Sequence, residues 1–255
     1  MAKLASRIKD WAAEIFIRAE QRDVFRKLPA FERDFGEYPE LSILAENYPA
    51  IRAECEQLLQ MRLQIPGMEE LTSYTASGIH QISWKTIMFK SGKFIEENCA
   101  LAPRTAALLR GIPGIYTAFF SVLEPHQHIK AHWGYWKGFV RYHLGVIIPG
   151  NNRDNKCWIR INPDAQSRNG DREAIAQGEK YHWHDGEAVL FDDTFLHEAA
   201  NETDHVRVVL FLDVARKMPW RLALLNRLFL WIAHQDKSVR EIRANAKIKS
   251  SIKAA

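Results

Sequence analysis

The sequence lacks the features that would place it in a specialised class. Its three cysteines, Cys55, Cys99 and Cys157, lie far apart in 255 residues and form no C-x-x-C pair. That argues against a disulfide framework or a structural zinc site and fits a reducing compartment. No stretch approaches the roughly 20 apolar residues needed to span a bilayer. Met1 to Asp10 (MAKLASRIKD) holds no apolar run of signal-peptide length. Internal repeats, low-complexity segments, a Ser-His-Asp set and a G-x-x-x-x-G-K phosphate loop are all missing. What is present is ordinary globular composition, 47% hydrophobic and 26% charged, enough for a sizeable core. The expected product is soluble or lies on a surface.

The net charge of +4 is unevenly spread. From Val214 onward there are ten Lys or Arg and two acids, a net +8, so the preceding residues carry a net −4. The basic tail suits an anionic partner, by charge alone either membrane lipid or nucleic acid, or it is simply a solvated basic helix. Within it, Trp220 to Ile232 (WRLALLNRLFLWI) is apolar except for Arg221, Asn226 and Arg227. Such a run either lies in a membrane interface or packs on the body of the protein.

The spacing of Leu4, Ile8, Trp11, Ile15 and Phe16 predicts a helix over the first 28 residues, ended by Pro29. A second helix is expected from Pro49 through Ile51, Cys55, Leu58 and Leu59, and a third over Pro103 to Leu109. From Tyr116 the pattern becomes strand-like. Strands are expected at Tyr116–Leu123, Val140–Ile148, Cys157–Ile161, Ala188–Phe191 and His205–Asp213, with turns such as Pro149-Gly150 and Asp185-Gly186. The fold class is mainly β with flanking helices, an antiparallel sandwich or barrel. The chain reads as one domain, 1–255, helical over 1–114, with a β core over 115–213 and a basic helical tail over 214–255.

Strand alternation then sorts the polar residues. In VRYHLGVII, Val140, Tyr142, Leu144, Val146 and Ile148 share one face, and Arg141, His143, Gly145 and Ile147 the other. In HVRVVLFLD, Val206, Val208, Leu210 and Leu212 oppose Arg207, Val209, Phe211 and Asp213. An arginine inside an apolar strand is expensive to bury unless it meets an anion. Either Arg141 and Arg207 face an enclosed carboxylate ligand, or their faces meet solvent. Six of the ten histidines fall between His126 and His184. His132, in a loop between strands, and His197, just after a strand, stand out because an arginine follows one strand later. That is the arrangement of a cupin-type barrel metal site, and imidazole suits iron, copper, nickel or zinc.

The segments HWGYWKGFVRYHLG (132–145) and GEAVLFDDTFLHEAANETDHVRVVLFLD (186–213) resemble the aspartyl/asparaginyl β-hydroxylase family. The resemblance covers about Tyr116 to Asp213 and rests on R-x-H-L-G and H-E-A-x-N…R-V-x-L-x-x-D. It implies a double-stranded β-helix (jelly-roll, cupin-like) core and an Fe(II)- and 2-oxoglutarate-dependent dioxygenase using O2. It makes His132 and His197 the metal ligands. It puts Arg207 and Ser121 at the distal carboxylate of 2-oxoglutarate, and Arg141 and His143 near the end that chelates iron. Where most such oxygenases carry H-x-D or H-x-E, this chain has His132-Trp133-Gly134, a glycine the family shares. Asp192 and Asp193 are expected to be structural or to support the ligands from behind.

Within the family, PWRLALLNRLFLWI and ISWKTIMF are similar to the lipid A hydroxylase branch. The implied substrate is an acyl chain of a lipid A-type or ornithine-type lipid, with an aspartyl or asparaginyl residue or a small amino-acid-like molecule as the alternative. A non-catalytic carboxylate-binding barrel is a third reading. With the basic tail and its apolar run, the expected protein is cytoplasmic and peripheral on the inner face of an anionic membrane, with no nucleic acid partner.

Overall fold

The computed structural model describes residues 2–61, 63–71, 82–165 and 170–250. The side chains of Leu4 and Ile8, named above for helix phase, and the last tail residues, 251–255, lie outside that set. Among the described residues ten strands form the two main sheets: the two-residue Lys93–Phe94 together with β1 (Trp84–Ser91), β2 (Ile115–Leu123), β3 (Gln127–His132), β4 (Phe139–Ile147), β5 (Cys157–Asn162), β6 (Glu179–His182), β7 (Ala188–Phe191), β8 (Leu196–Asn201) and β9 (Arg207–Ala215). The larger sheet runs Lys93–Phe94, β1, β2, β9, β4, β7; the smaller runs β3, β8, β5, β6. Every neighbouring pair is antiparallel. The chain switches sheets as it passes from β2 to β3 to β4 to β5, then from β6 to β7 to β8 to β9. This winding is a jelly roll, the double-stranded β-helix.

The larger sheet has apolar residues on both faces. Outward, Val140, Tyr142, Leu144, Val146, Val208, Leu210 and Leu212 pack with Ile51, Cys55, Leu58 and Leu109. These last residues belong to α2 (Tyr48–Gln60) and α3 (Pro103–Gly111), each with its marking proline, Pro49 or Pro103, in the first turn. Glu54 of α2 caps α3, accepting hydrogen bonds from the backbone N–H groups of Arg104 and Thr105, each at 2.8 Å. It thereby satisfies two of the donors that a helix start leaves open. Inward, Phe119, Leu123, Val189, Phe191, Val209 and Phe211 meet Ile159, Ile161 and Trp183 of the smaller sheet. Arg141, His143 and Arg207 share this inner side, and solvent does not cover it.

Several expectations change. Residues 1–114 are not purely helical, because β1 joins the larger sheet. α1 spans Ala2–Gln21, shorter than the periodicity suggested. Asp23 adopts a positive φ of 54°, a left-handed geometry that helix cannot continue through. His132 is the last residue of β3 and His197 lies inside β8; neither is in a loop. Ile147 and Ile148 exchange faces relative to strict alternation, with Ile148 in the interior and Ile147 on the helix side. The cause is a bulge: Val208 opposes Ile147 but Val209 opposes Gly145, leaving Val146 as the extra residue.

A buried set of charges ties the ends of these elements together. Lys137 Nζ lies 2.7 Å from Glu20 of α1 and 2.9 Å from Asp192, and Arg216 also pairs with both carboxylates. Thr194 adds hydrogen bonds to Asp192 and receives one from Lys137. Burial works against the Asp192 charge, but Arg216 and Lys137 outweigh it and hold the carboxyl below its ordinary value. Its stabilisation is therefore present at neutral pH and lost as pH falls through and below the usual carboxylate range. Replacing Asp192 by Ala leaves Glu20, among the described residues, as the one carboxylate facing two buried cations and is expected to cost about 3–5 kcal/mol. Urea denaturation at neutral pH checks this. A loss below 1 kcal/mol, the range of an exposed pair, would show that the set is not acting as a unit.

Candidate active site

Register places the two sequence-predicted histidines side by side. β3 and β8 pair so that His197 directly opposes His132, and the ring centroids are 4.2 Å apart. Each ring is oriented by its own strand: Nδ1–H of His132 donates to the Lys130 carbonyl and Nδ1–H of His197 to the Phe195 carbonyl, both at 2.8 Å. A carbonyl can only accept, so the proton sits on Nδ1 and the Nε2 lone pair is left for another partner. Burial, with help from Arg141, keeps both imidazoles neutral; His197 is pushed well below the ordinary histidine value.

The carboxylate absent from His132-Trp133-Gly134 is present in space. Gly134 N–H donates to the Asp193 carbonyl at 2.7 Å. A Cβ on Gly134 would lie 1.5 Å from Asp193 Oδ2. Glycine is thus required there because a carboxylate from the β7–β8 turn already fills the volume. Asp193 Oδ1 is 3.4 Å from His197 Nε2 and also pairs with Arg141. Burial pushes the Asp193 carboxyl up to about 6, opposed by Arg141 and assisted by Asp213 and Asp192. Sequence reasoning gave Asp192 and Asp193 one shared role, and the structure separates them. Asp192 belongs to the buried charge set and Asp193 to the histidine pair. The available signal was the D-x-x-x-H spacing.

The two arginines also differ. Arg141 Nε donates to Asp213 at 2.9 Å, its other arm meets Asp193, and the guanidinium lies over Phe211. Its charge is met inside the protein. Arg207 is 2% exposed, lies over the Trp183 ring at 4.6 Å, and forms no ion pair among the described residues. Its Nε has no hydrogen-bond partner. Burial pushes it down to about 10, so it remains a cation at neutral pH. Between the arginines, His143 packs against Phe191 and Phe211 with both ring nitrogens unpartnered, and burial keeps it neutral. Ser121 opposes Val209 on the same inner face, diagonal to Arg207, and accepts from Trp84 Nε1 at 2.9 Å. Trp84 was quoted from sequence only within a branch similarity; its hold on Ser121 needed the β1–β2 pairing to be seen.

Two further motif residues are architectural. Gly145 of R-x-H-L-G passes so close to the next loop that a Cβ would lie 2.1 Å from the His184 carbonyl. Asn201 of H-E-A-x-N donates to the carbonyls of Leu123 and His205, fixing the turn that leads to Arg207. A cleft of about 1370 Å³ reaches His132, Arg141 and Asp193 from outside. Arg207, His143 and Ser121 lie buried behind it.

Among the described residues, no three His, Cys, Asp or Glu side chains are arranged to hold a metal ion. The donor set is two neutral imidazoles with free Nε2 atoms. Behind them are unpartnered nitrogens of His143 and Arg207. That set fits a divalent cation completed by an anionic chelating ligand whose far end meets Arg207.

The family model described as aspartyl/asparaginyl beta-hydroxylase matches residues 45–217. The chain is 35% identical over 199 residues to an ornithine lipid ester-linked acyl 2-hydroxylase of Rhizobium tropici, covering 76% of this chain and 65% of that one. It is 31% identical over 198 residues to aspartate beta-hydroxylase domain-containing protein 2 of Mus musculus, covering 73% of this chain and 50% of that one. The chain thus spans between half and two thirds of these relatives. Among solved structures it is similar to a prolyl hydroxylase from Trichoplax adhaerens, at 10% identity and a TM-score of 0.45, covering 87% of this chain and 96% of that one.

The fit of Asp193 into the glycine site yields a test. Gly134→Ala is expected to displace the carboxylate and cost about 1–3 kcal/mol, as overpacking does. Adding Asp193→Ala should recover some of that loss. Thermal unfolding of the single and double variants measures it; strictly additive losses would mean the two positions do not share the volume.

Proposed function

The chain belongs to the aspartyl/asparaginyl β-hydroxylase family, and from that premise we propose that it is an Fe(II)- and 2-oxoglutarate-dependent dioxygenase acting on an unactivated C–H bond. The observation that carries this reading is the interior cation: Arg207 is buried with no carboxylate partner among the described residues, behind two neutral, adjacent histidines. In the proposal, His132 and His197 hold Fe(II) through Nε2. Arg207 and Ser121 receive the distal carboxylate of 2-oxoglutarate, with the guanidinium fork matching it in two parallel hydrogen bonds. His143 and Arg141 border the chelating end. Bound Fe(II) supplies the redox chemistry by which O2 and 2-oxoglutarate yield succinate, CO2 and a hydroxylated product. The protein's own groups orient both ligands, keep the imidazoles unprotonated and exclude water with Phe191, Phe211 and Trp183.

The substrate we favour is an acyl chain of an ornithine-type or lipid A-type lipid. Two observations support it. The Rhizobium tropici relative is named as an acyl hydroxylase of ornithine lipid. The cleft walls include Ala13, Ile17, Met68, Leu71, Val239 and Ile242 alongside charged groups such as Lys27 and Arg141, and the apolar part offers an acyl chain a surface to lie on. The alternative, β-hydroxylation of an aspartyl or asparaginyl residue, is favoured by the names of other relatives. Comparing the lipids of cells with and without the protein separates the two. A hydroxylated acyl species that depends on the protein supports the first; unchanged lipids exclude it.

Succinate formation from 2-oxoglutarate with Fe(II) distinguishes an enzyme from a carboxylate-binding barrel. His132→Ala and His197→Ala are expected to abolish it and to lose bound iron while keeping the fold. Wild-type iron content in His132→Ala would remove that residue from the metal site. Arg207→Ala is expected to raise the 2-oxoglutarate requirement at least tenfold, about 1.4 kcal/mol. Arg207→Lys should recover only a fraction of it, because lysine lacks the fork. An unchanged requirement in titrations of Arg207→Ala would place the co-substrate elsewhere.

A further inference from the structure

Helix α4 (Trp220–Ala233) has one face fixed to the body and one face bare. On the fixed side Asn226 is buried, donating to the Gly138 carbonyl at 2.8 Å and accepting from Trp136 Nε1 at 3.0 Å. Phe229 packs edge-on against Phe16 and Trp136. The opposite side carries Trp220, Leu224, Leu228 and Trp231, which are 71, 61, 50 and 61% exposed. Their spacing of four, four and three keeps them on one stripe of a 3.6-residue helix. Trp11 of α1, also 60% exposed, sits 6.2 Å from Phe229 and extends the patch. A contiguous apolar surface of this kind marks a docking site.

Charge says what it docks to. α4 contains no acidic residue, and Arg221 and Arg227 flank its bare stripe. A pocket of about 480 Å³ opens between α1 and the start of α4, where Ile15, Val24 and Trp220 share the lining with Arg18, Arg22 and Arg221. Arg18 is paired with Glu14 at 2.7 Å. Neither Arg22 nor Arg221 has a carboxylate partner among the described residues. The segment after Asp213 carries a net +8 in sequence, and Arg221 and Arg227 are its charges on this helix. Two copies meeting through this surface would bring like charges together. An anionic bilayer offers both an apolar interior and a negative surface. Tryptophans at both ends of the stripe suit the headgroup level. No helix among the described residues is long and apolar enough to cross a membrane.

We infer that α1 and α4 form a docking surface for an anionic lipid bilayer. The Trp220–Leu224–Leu228–Trp231 stripe lies in the interface, and Arg22 and Arg221 take the phosphate of one phospholipid headgroup in the pocket between the helices. Ala13 and Ile17, on the other side of α1, line the cleft that reaches His132, so α1 lies between the docking surface and the candidate site. Binding of this kind requires no turnover, and it stands or falls apart from the proposed activity.

Vesicle flotation with the full chain tests it, using phosphatidylcholine vesicles with and without phosphatidylglycerol at low and physiological salt. The wild type is expected to float with phosphatidylglycerol vesicles and to release as salt rises. A Leu224→Glu/Leu228→Glu variant should bind at least tenfold more weakly. An Arg22→Gln/Arg221→Gln variant should lose at least tenfold on anionic vesicles and show a flatter salt dependence. Circular dichroism and succinate formation report whether each variant is folded and active. A wild type that stays unbound at low salt overturns the inference, and so does a Leu224→Glu/Leu228→Glu variant that floats like wild type. Unchanged anionic binding in Arg22→Gln/Arg221→Gln removes the headgroup pocket. A wild-type dimer in sedimentation, broken by Leu224→Glu/Leu228→Glu and insensitive to vesicles, would assign the face to a second copy instead.

Discussion

A guanidinium enclosed between two apolar sheets is costly unless an anion meets it, several kcal/mol even after the protein relaxes. The interior of this barrel holds two, and it treats them differently. Arg141 is met by Asp193 and Asp213, so its charge is settled within the fold. Arg207 lies over the face of Trp183 and forms no ion pair among the described residues. Asn201, holding the turn before β9, keeps it aimed inward. The rest of the site follows from that asymmetry. An interior with one uncompensated cation, a neutral His143 and a neutral histidine pair favours an anionic ligand that spans from the pair to Arg207.

The histidine pair depends in turn on strand register. His132 and His197 oppose each other because β3 and β8 are neighbours in the smaller sheet, although 65 residues separate them in sequence. Their neighbourhood is then filled by a carboxylate from an unexpected direction. Asp193 reaches the volume over Gly134 from the β7–β8 turn, while its neighbour Asp192 anchors that turn to Lys137 and Arg216. The buried charge set borders the candidate site along the cleft and fixes the two segments, 134–138 and 192–194, that bring Gly134 and Asp193 into contact.

Strand alternation made it legible that Arg141 shares a face with His143, and Arg207 with Phe211, because those strands are long and apolar enough for a period of two to be read, but it left open whether that face meets solvent. The same rule failed at Ile147 and Ile148, where the Val146 bulge reverses the phase and leaves no clear mark in composition. β3 and β8 escaped notice because they are short and carry polar residues such as Gln127, His128, Glu198 and Asn201. β1 fell in a region read as helical. Asp193 was undervalued for a related reason. Its role comes from a glycine nearly sixty residues earlier, and no local periodicity links the two. The apolar run in α4 was visible, but two opposed readings were open, and each describes one side of it. One face packs on the body, and the other is bare.

In the proposed function the histidine pair and Arg207 form one site for a metal-chelating keto acid. Anaerobic visible spectroscopy tests it without any assumption about substrate. Fe(II) and 2-oxoglutarate together should give the charge-transfer band of a bidentate keto-acid chelate on the wild-type protein. Neither component alone should give it, and His197→Ala should not give it with both. Failure of the wild type to develop the band at saturating Fe(II) and 2-oxoglutarate, or its full appearance in His197→Ala, would contradict the account.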